Sequence, residues 1–293
     1  MSFDTNKIIL QPLQNLSTQS ISVATLRTDL IHPIVSGNKW FKLRFYLEEA
    51  NRLKSNTIAS FGGAYSNHIV ALAAACKQSG INSVGFIRGE AGSSPTLIEA
   101  ASMGMKLYYI SRESYQKKSE IINQHAKENW YWIQEGGYGI QGALGAATML
   151  SVRDCSAFTH IVCACGTGTM MAGIVAGSTS IQKVIGISVL KNNYGIEESV
   201  KKIIPLGTTK HFEIFHNYHF GGYAKHPPAL IDYMNNLFKR EEVPTDLVYT
   251  AKLFYAVEDL LKQQYFGNQA AILIIHSGGL QGNRSLPSNS LVF

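Results

Sequence analysis

Four segments of this chain join reactive side chains to glycines that let a backbone approach a ligand closely. They are Ser36-Gly37-Asn38-Lys39, Gly62-Gly63-Ala64-Tyr65-Ser66-Asn67-His68, Cys165-Gly166-Thr167-Gly168-Thr169 and Ser277-Gly278-Gly279. A lysine partly withdrawn from water titrates low enough to act as an amine nucleophile or to form a Schiff base. Lys39 lies beside Gly and Asn at the start of an apolar run; taken alone, such a lysine reads as a surface residue opening a helix. The Gly166–Thr169 loop has small residues that expose backbone N–H groups and two hydroxyl donors, as a phosphate cradle at a helix N-terminus requires. A plain strand-to-helix turn is its other reading. It matches no familiar nucleotide motif, because GxGxxG would need Gly where Met171 stands and GxxxxGK would need Lys where Ile174 stands. Ser66-Asn67-His68 reads either as an ordinary N-cap or as part of a site.

What must position these segments is an alternation of strand and helix. Strands are expected at Thr57–Phe61, Ser83–Ile87, Lys106–Ser111, Trp130–Ile133, Thr159–Ala164, Val184–Leu190, Phe212–Phe215 and Ala271–His276. Helices are expected at Trp40–Leu53, Asn67–Ser79 with Gly80 as cap, from Pro95 to before Gly104, at Ser114–Glu128 and at about Gln141–Val152. The strands are continuous apolar runs such as Ile272-Leu273-Ile274-Ile275, the signature of parallel strands covered on both faces. The expectation is an α/β chain with two open, twisted, mostly parallel sheets flanked by helices, closing on one cleft. In such sheets ligands gather beyond the carboxyl ends of strands, and three of the four segments fall there.

Composition bounds the function. Of 293 residues 45% are hydrophobic and only 16% charged, which excludes a disordered chain or a charge-laced coiled coil. The shortage of charge predicts a face covered by a partner subunit, read as a homodimer. The net charge is +6, but the 26 basic residues are scattered, with no basic arm or zinc module, so nucleic acid is not an expected partner. Four cysteines are too few and too uneven for a disulfide scaffold, and Cys163-x-Cys165 lacks the second pair of a zinc site, so no metal is expected. The N-terminal Met-Ser-Phe-Asp-Thr has no signal pattern and no apolar run is long enough for a membrane, which predicts a cytoplasmic protein.

Taken in order, the segments resemble the pyridoxal-phosphate enzymes of the tryptophan-synthase-β fold type (fold type II), and more narrowly the 1-aminocyclopropane-1-carboxylate deaminase and D-cysteine desulfhydrase family. Ser36-Gly37-Asn38-Lys39-Trp40-Phe41-Lys42-Leu43 resembles the family's GGNKxRKL, and Gly62–His68 resembles its GGxxSNH. Val248-Tyr249-Thr250-Ala251-Lys252 resembles VYxGK, and His276-Ser277-Gly278-Gly279 resembles HTGG or HLGG. Gly222-Tyr223 matches a tyrosine that the family places at the substrate. The resemblance spans about Leu26 to Gly282. Ser36, Phe41 and Ala251 depart from the pattern.

The resemblance implies pyridoxal 5′-phosphate as cofactor and a small amino acid as substrate. It implies catalytic roles for Lys39, Ser66, Tyr249 and Tyr223. Cofactor contacts would come from Lys39, Asn67, Cys165, Gly166, Thr167, Gly168, Thr169, Thr250 and Ser277. Substrate contacts would come from Ser66, Asn67, His68, Tyr223 and Tyr249. It also implies a large cofactor-binding domain of residues 1–41 with 149–293 and a small domain of residues 42–148. Thr250 stands where the deaminases carry a Glu beside the pyridine nitrogen, and a hydroxyl cannot hold a proton there as a carboxylate does. A neutral ring suits loss of a good β leaving group. Thr250, His68 and Ser277 also resemble the desulfhydrase side of the family, and the resemblance thus implies β-elimination, ideally from D-cysteine to pyruvate, sulfide and ammonia. The alternative is ring opening of 1-aminocyclopropane-1-carboxylate to 2-oxobutyrate and ammonia, and an alternative of another class is a non-catalytic binding protein on the same fold.

Overall fold

A computed structural model describes residues 3–92, 94–205 and 210–293. Met1 and Ser2, with which the N-terminal stretch begins, lie outside the described residues. In chain order the elements are β1 (Leu10–Pro12), β2 (Ser22–Arg27), α1 (Asn38–Arg52), β3 (Thr57–Gly62), α2 (Asn67–Ser79), β4 (Asn82–Arg88), α3 (Pro95–Ser102), β5 (Lys106–Ile110), α4 (Lys118–His125) and β6 (Trp130–Ile133). There follow α5 (Ile140–Ala147), β7 (His160–Cys165), α6 (Thr169–Gly177), β8 (Lys183–Ser188), α7 (Ile196–Lys201), β9 (Phe212–Phe215), α8 (Pro228–Glu241), α9 (Thr250–Lys262) and β10 (Ala271–His276).

Two sheets form, as the alternation requires. One has four strands in the order β5-β4-β3-β6, all parallel. The other has six in the order β1-β2-β10-β7-β8-β9, parallel except for β1. The chain's first stretch thus joins its last strand, with Ser22 to Arg27 registered on Ala271 to His276. Central strands are buried on both faces, as in β3 and β10, and each fully buried Val, Ile, Leu or Phe contributes about 1.5–3 kcal/mol. Cys163 and Cys165 of β7 are buried and free, as expected of small strand residues.

Helix ends follow local chemistry. Ser66 Oγ accepts from the Ile69 N–H at 3.3 Å and starts α2, while Gly80, at φ +67°, ends it. Ser66→Ala removes this cap, and the expected loss is about 1 kcal/mol in urea denaturation; an unchanged midpoint would contradict the capping role.

One helix ties the two sheets together. α5 (IQGALGAA) packs against both α1 and α6. A Cβ on Gly145 would collide with the Phe41 carbonyl of α1, and one on Gly173 of α6 would collide with the Ala143 carbonyl of α5. Small residues thus allow near-backbone contact on both sides. The result fixes the N-termini of α1 and α6, and with them Lys39 and the Gly166–Thr169 loop, relative to each other.

Candidate active site

Lys39 is the second residue of α1, and the turn before it is locked to the end of β10. Asn38 donates to the Ser277 carbonyl from both its backbone N–H and its side-chain amide, each at 3.1 Å. Gly37 has φ +56°, and a Cβ there would overlap Ser277's carbonyl, so only glycine fits. Behind this contact, buried His276 spans from the Pro244 carbonyl (2.7 Å) to Asp29 (3.2 Å), and Asp29 pairs with Arg27 at 2.7 Å. The loops carrying Lys39 and Ser277 are therefore one unit.

Lys39 Nζ donates to Asn38 Oδ1 at 3.1 Å and stands 6.0 Å from the centre of the Tyr249 ring. Burial pushes its amine down to about 8, against a smaller upward pull from the Asp246 carboxylate. At neutral pH an appreciable fraction is thus uncharged and nucleophilic. Burial and nearby Lys39 also hold Lys42 well below the usual lysine range; its Nζ donates to the Gly136 carbonyl at 3.1 Å.

Across the cleft, β7 runs into Gly166-Thr167-Gly168. Gly168, at φ +85°, is the N-cap of α6 and supplies no capping side chain. The first N–H groups of α6 therefore lack a side-chain acceptor, with the Thr167 and Thr169 hydroxyls 3.2 Å apart beside them. This is an anion-binding geometry at a helix N-terminus. Asn67 spans to the third loop: its Nδ2 donates to the Gly279 carbonyl at 3.1 Å, and its Oδ1 is buried with no partner. Tyr249 closes the fourth side. A Cβ on Gly166 would come within 3.0 Å of its ring, and burial raises its phenol well above the usual range.

Lys39, Asn67, Gly166, Thr167, Gly168, Tyr249 and Ser277 line one cleft with about 550 Å³ of space, its open mouth included. Other candidates are placed elsewhere. Cys165 turns into the core, with Sγ 3.2 Å from Met171 Sδ. His68 is buried, its Nε2 2.8 Å from Ser60 Oγ, and burial beside Lys39 and Lys42 keeps it neutral far below its usual range. Thr250 is wholly buried and donates its hydroxyl to Asp246 Oδ1 at 2.7 Å. Ser66, Thr169 and Tyr223 are not among the lining residues.

Lys42 and Gly136 line the cleft but were not singled out from sequence. Both had a signal. Lys42 follows Lys39 by three positions on the same helix and so shares its face. Glu135-Gly136-Gly137 lies one residue past β6, close to the strand-end position of the other loops.

Residues 4–278 match the family described as pyridoxal-phosphate dependent enzymes. A Thermotoga maritima protein with the provisional name 1-aminocyclopropane-1-carboxylate deaminase is 31% identical, over 93% of this chain and 94% of its own. An Arabidopsis thaliana protein named bifunctional D-cysteine desulfhydrase/1-aminocyclopropane-1-carboxylate deaminase, mitochondrial, is 28% identical, over 87% of this chain and 72% of its own. A crystal structure described as an ACC deaminase homologue superposes with a TM-score of 0.82 at 26% identity, covering 94% of this chain and 90% of that one.

Proposed function

Because the chain belongs to the pyridoxal-phosphate-dependent enzymes, we propose that it breaks a small amino acid down to a 2-oxo acid and ammonia, by β-elimination from D-cysteine to pyruvate, sulfide and ammonia. The residues present suit the cofactor. A desolvated amine, an uncapped helix N-terminus and an orphaned buried amide oxygen face one cleft. Lys39 would hold the aldehyde, and Gly166–Thr169 with Lys42 the phosphate. Asn67 would face the ring hydroxyl, and Ser277 would stand at the ring's edge. When bound, pyridoxal phosphate supplies the electron sink that stabilises negative charge at the substrate α-carbon.

The chain's own groups supply binding and proton transfer. Lys39 Nζ, its amine pulled down to about 8 by burial, takes the proton from the substrate α-carbon as the β-thiol departs. The resulting enamine is protonated at its former β-carbon and hydrolysed to 2-oxo acid and ammonia. Tyr249 keeps its phenolic proton, since burial and the nearby Tyr223 and Asp246 all disfavour the phenolate, and so offers a hydrogen bond to the departing group without giving up the proton. Ser66 and the first N–H groups of α2 receive the substrate carboxylate, and the half-exposed ring of Tyr223 covers it.

The observation that carries D-cysteine over the cyclopropane is position 250. It holds a hydroxyl whose proton is already given to Asp246, and no carboxylate of its own. The second reading, ring opening of 1-aminocyclopropane-1-carboxylate, is supported by the names of the Thermotoga and Arabidopsis relatives. Each of D-cysteine, L-cysteine, D-serine and the cyclopropane is offered separately, with pyruvate, 2-oxobutyrate and sulfide measured. Sulfide and pyruvate from D-cysteine are expected; turnover of the cyclopropane alone would overturn the reading of Thr250.

No helix among the described residues is long and apolar enough to cross a membrane. We further propose a cytoplasmic homodimer, supported by exposed Ile98, Ile140 and Ile181 in a charge-poor chain. The proposed domains are residues 1–41 with 149–293, and residues 42–148. They are supported by confinement of the four-stranded sheet to Thr57–Ile133, although α1 runs across the boundary.

A further inference from the structure

Lys252 is a lysine with no exposed surface, in the first turn of α9. Both features are unfavourable for a cation. Burial pushes its amine down to about 8, and the N-terminal end of a helix repels positive charge. A side chain kept there needs a partner of matching geometry, and it has two. Its Nζ donates to the carbonyl of His219 at 2.9 Å and to that of Gly222 at 2.7 Å.

Those carbonyls belong to consecutive turns. The Gly222 N–H closes the first turn on the His219 carbonyl at 2.9 Å, and the Lys225 N–H closes the second on the Gly222 carbonyl at 3.2 Å. One ammonium therefore binds the carbonyl that accepts in each turn. The segment needs such a hold, because Phe220, Gly221, Gly222 and Ala224 all have positive φ, a conformation that is unfavourable for Phe and Ala. Tyr223 lies inside the second turn, one residue past the anchored Gly222.

We infer that Lys252 is the positioning residue for Tyr223, holding the turn carbonyls of His219 and Gly222 so that the tyrosine ring is presented to the substrate. The inference rests on the reading that Tyr223 contacts substrate. Lys252 itself touches neither substrate nor cofactor. Its effect is carried by the backbone of residues 219–223, so it governs substrate capture rather than attachment of the cofactor.

Lys252→Met keeps the stem and removes the ammonium, which avoids leaving a charge unpaired in the interior. In the holoenzyme, amide exchange of residues 219–224 is expected to quicken about tenfold, as loss of charge-assisted hydrogen bonds predicts. Exchange late in α9 and the visible cofactor band are expected to stay as in the parent. KM for the turned-over amino acid is expected to rise about tenfold with kcat changed less. In a Tyr223→Phe background, Lys252→Met is expected to add little to the loss already present, because the two act as one unit. Unchanged exchange at 219–224, or losses that multiply independently, would overturn the inference while leaving the proposed function standing. Full turnover by Tyr223→Phe alone would overturn the reading of Tyr223 and this inference with it. If Lys252→Met does not fold, Lys252→Gln is read against the same outcomes.

Discussion

Lys39→Met is expected to give a protein that takes up no visible cofactor band and makes 2-oxo acid at least about 10³-fold more slowly, the range lost when a positioned proton-transfer group is removed. A yellow, active variant would overturn the assignment of Lys39. The same substitution is expected to make the cofactor-free protein more stable, and that result follows from the same burial. Folding lowers the Lys39 amine from about 10.5 to about 8. Between these values the unfolded chain holds more protons than the folded one, so the stability of the parent rises with pH across that window. Below about pH 8 both states are charged and the full cost of burying the cation is present, on the order of 3 kcal/mol. Methionine removes that cost. In urea, cofactor-free Lys39→Met is therefore expected to outlast the parent at pH 7, with the advantage fading as pH approaches 10.5. Equal midpoints at pH 7 would show that the amine is not desolvated.

Catalytic chemistry at this position thus works against stability, as expected of a group held away from water for function. The surrounding structure offsets the cost where it can. α1 is anchored through Asn38 to Ser277 and by backbone-close packing on α5, which fixes the backbone from which Lys39 enters the cleft.

The parts of this arrangement legible in sequence were those set by local chemistry. α2 runs from Asn67 to Ser79 as its Ser66 cap and Gly80 stop require, and β9 and β10 have the bounds their apolar runs predict. Helices without such punctuation are shorter than their sequence pattern predicts. The stretch expected as one helix over Ser114–Glu128 is a short 3-10 turn and α4, broken at Lys117, which leaves helical geometry at φ −97° and ψ 55°. The helix expected to Val152 ends as α5 at Ala147 and tightens into a 3-10 turn. There Thr148 Oγ1 donates to the Gly145 carbonyl and accepts from Arg44, a side-chain bond that competes with the helix.

At the site, the loops were legible and the side-chain directions were not. Glycine and hydroxyl clusters at strand ends mark where a ligand can reach the backbone. Which way Cys165, His68 and Thr250 turn depends on Met171, Ser60 and Asp246. Nothing in the motifs containing Cys165, His68 and Thr250 announces those partners. The motif around Tyr249 drew notice to Thr250, yet the residue that organises that corner is Asp246, four positions earlier.

Asp246→Ala is accordingly expected to cost on the order of 3 kcal/mol, since each buried donor left unpaired costs about 1–3 kcal/mol. The Asp246 carboxylate is completely buried and accepts four hydrogen bonds. Oδ2 takes the N–H groups of Val248 and Tyr249 at 2.9 and 3.0 Å. Oδ1 takes the N–H and the hydroxyl of Thr250 at 2.8 and 2.7 Å. Thr250 returns the contact, since its Oγ1 accepts the Asp246 N–H at 2.6 Å. The carboxylate thus pins the chain that leads into α9, from Val248 to the helix's first residue Thr250, and with it the start of the helix that presents Tyr249 and Lys252. Alanine would leave all four donors buried and unpaired. Asparagine is not expected to rescue them, because in either amide orientation its NH₂ would face two N–H donors or the N–H and hydroxyl of Thr250. The effect reaches the cleft as well. Asp246 is the charge that partly counters burial at Lys39 and Lys252, so removing it is expected to move both amines further below about 8. For Asp246→Asn, a lowered urea midpoint together with a downward shift in the pH at which Lys39 reacts with an added aldehyde is the expected pair of results. A normal midpoint would mean that α9 is held by its apolar face alone. A lowered midpoint with an unmoved titration would confine Asp246 to pinning the start of α9, with no part in setting the charge of Lys39.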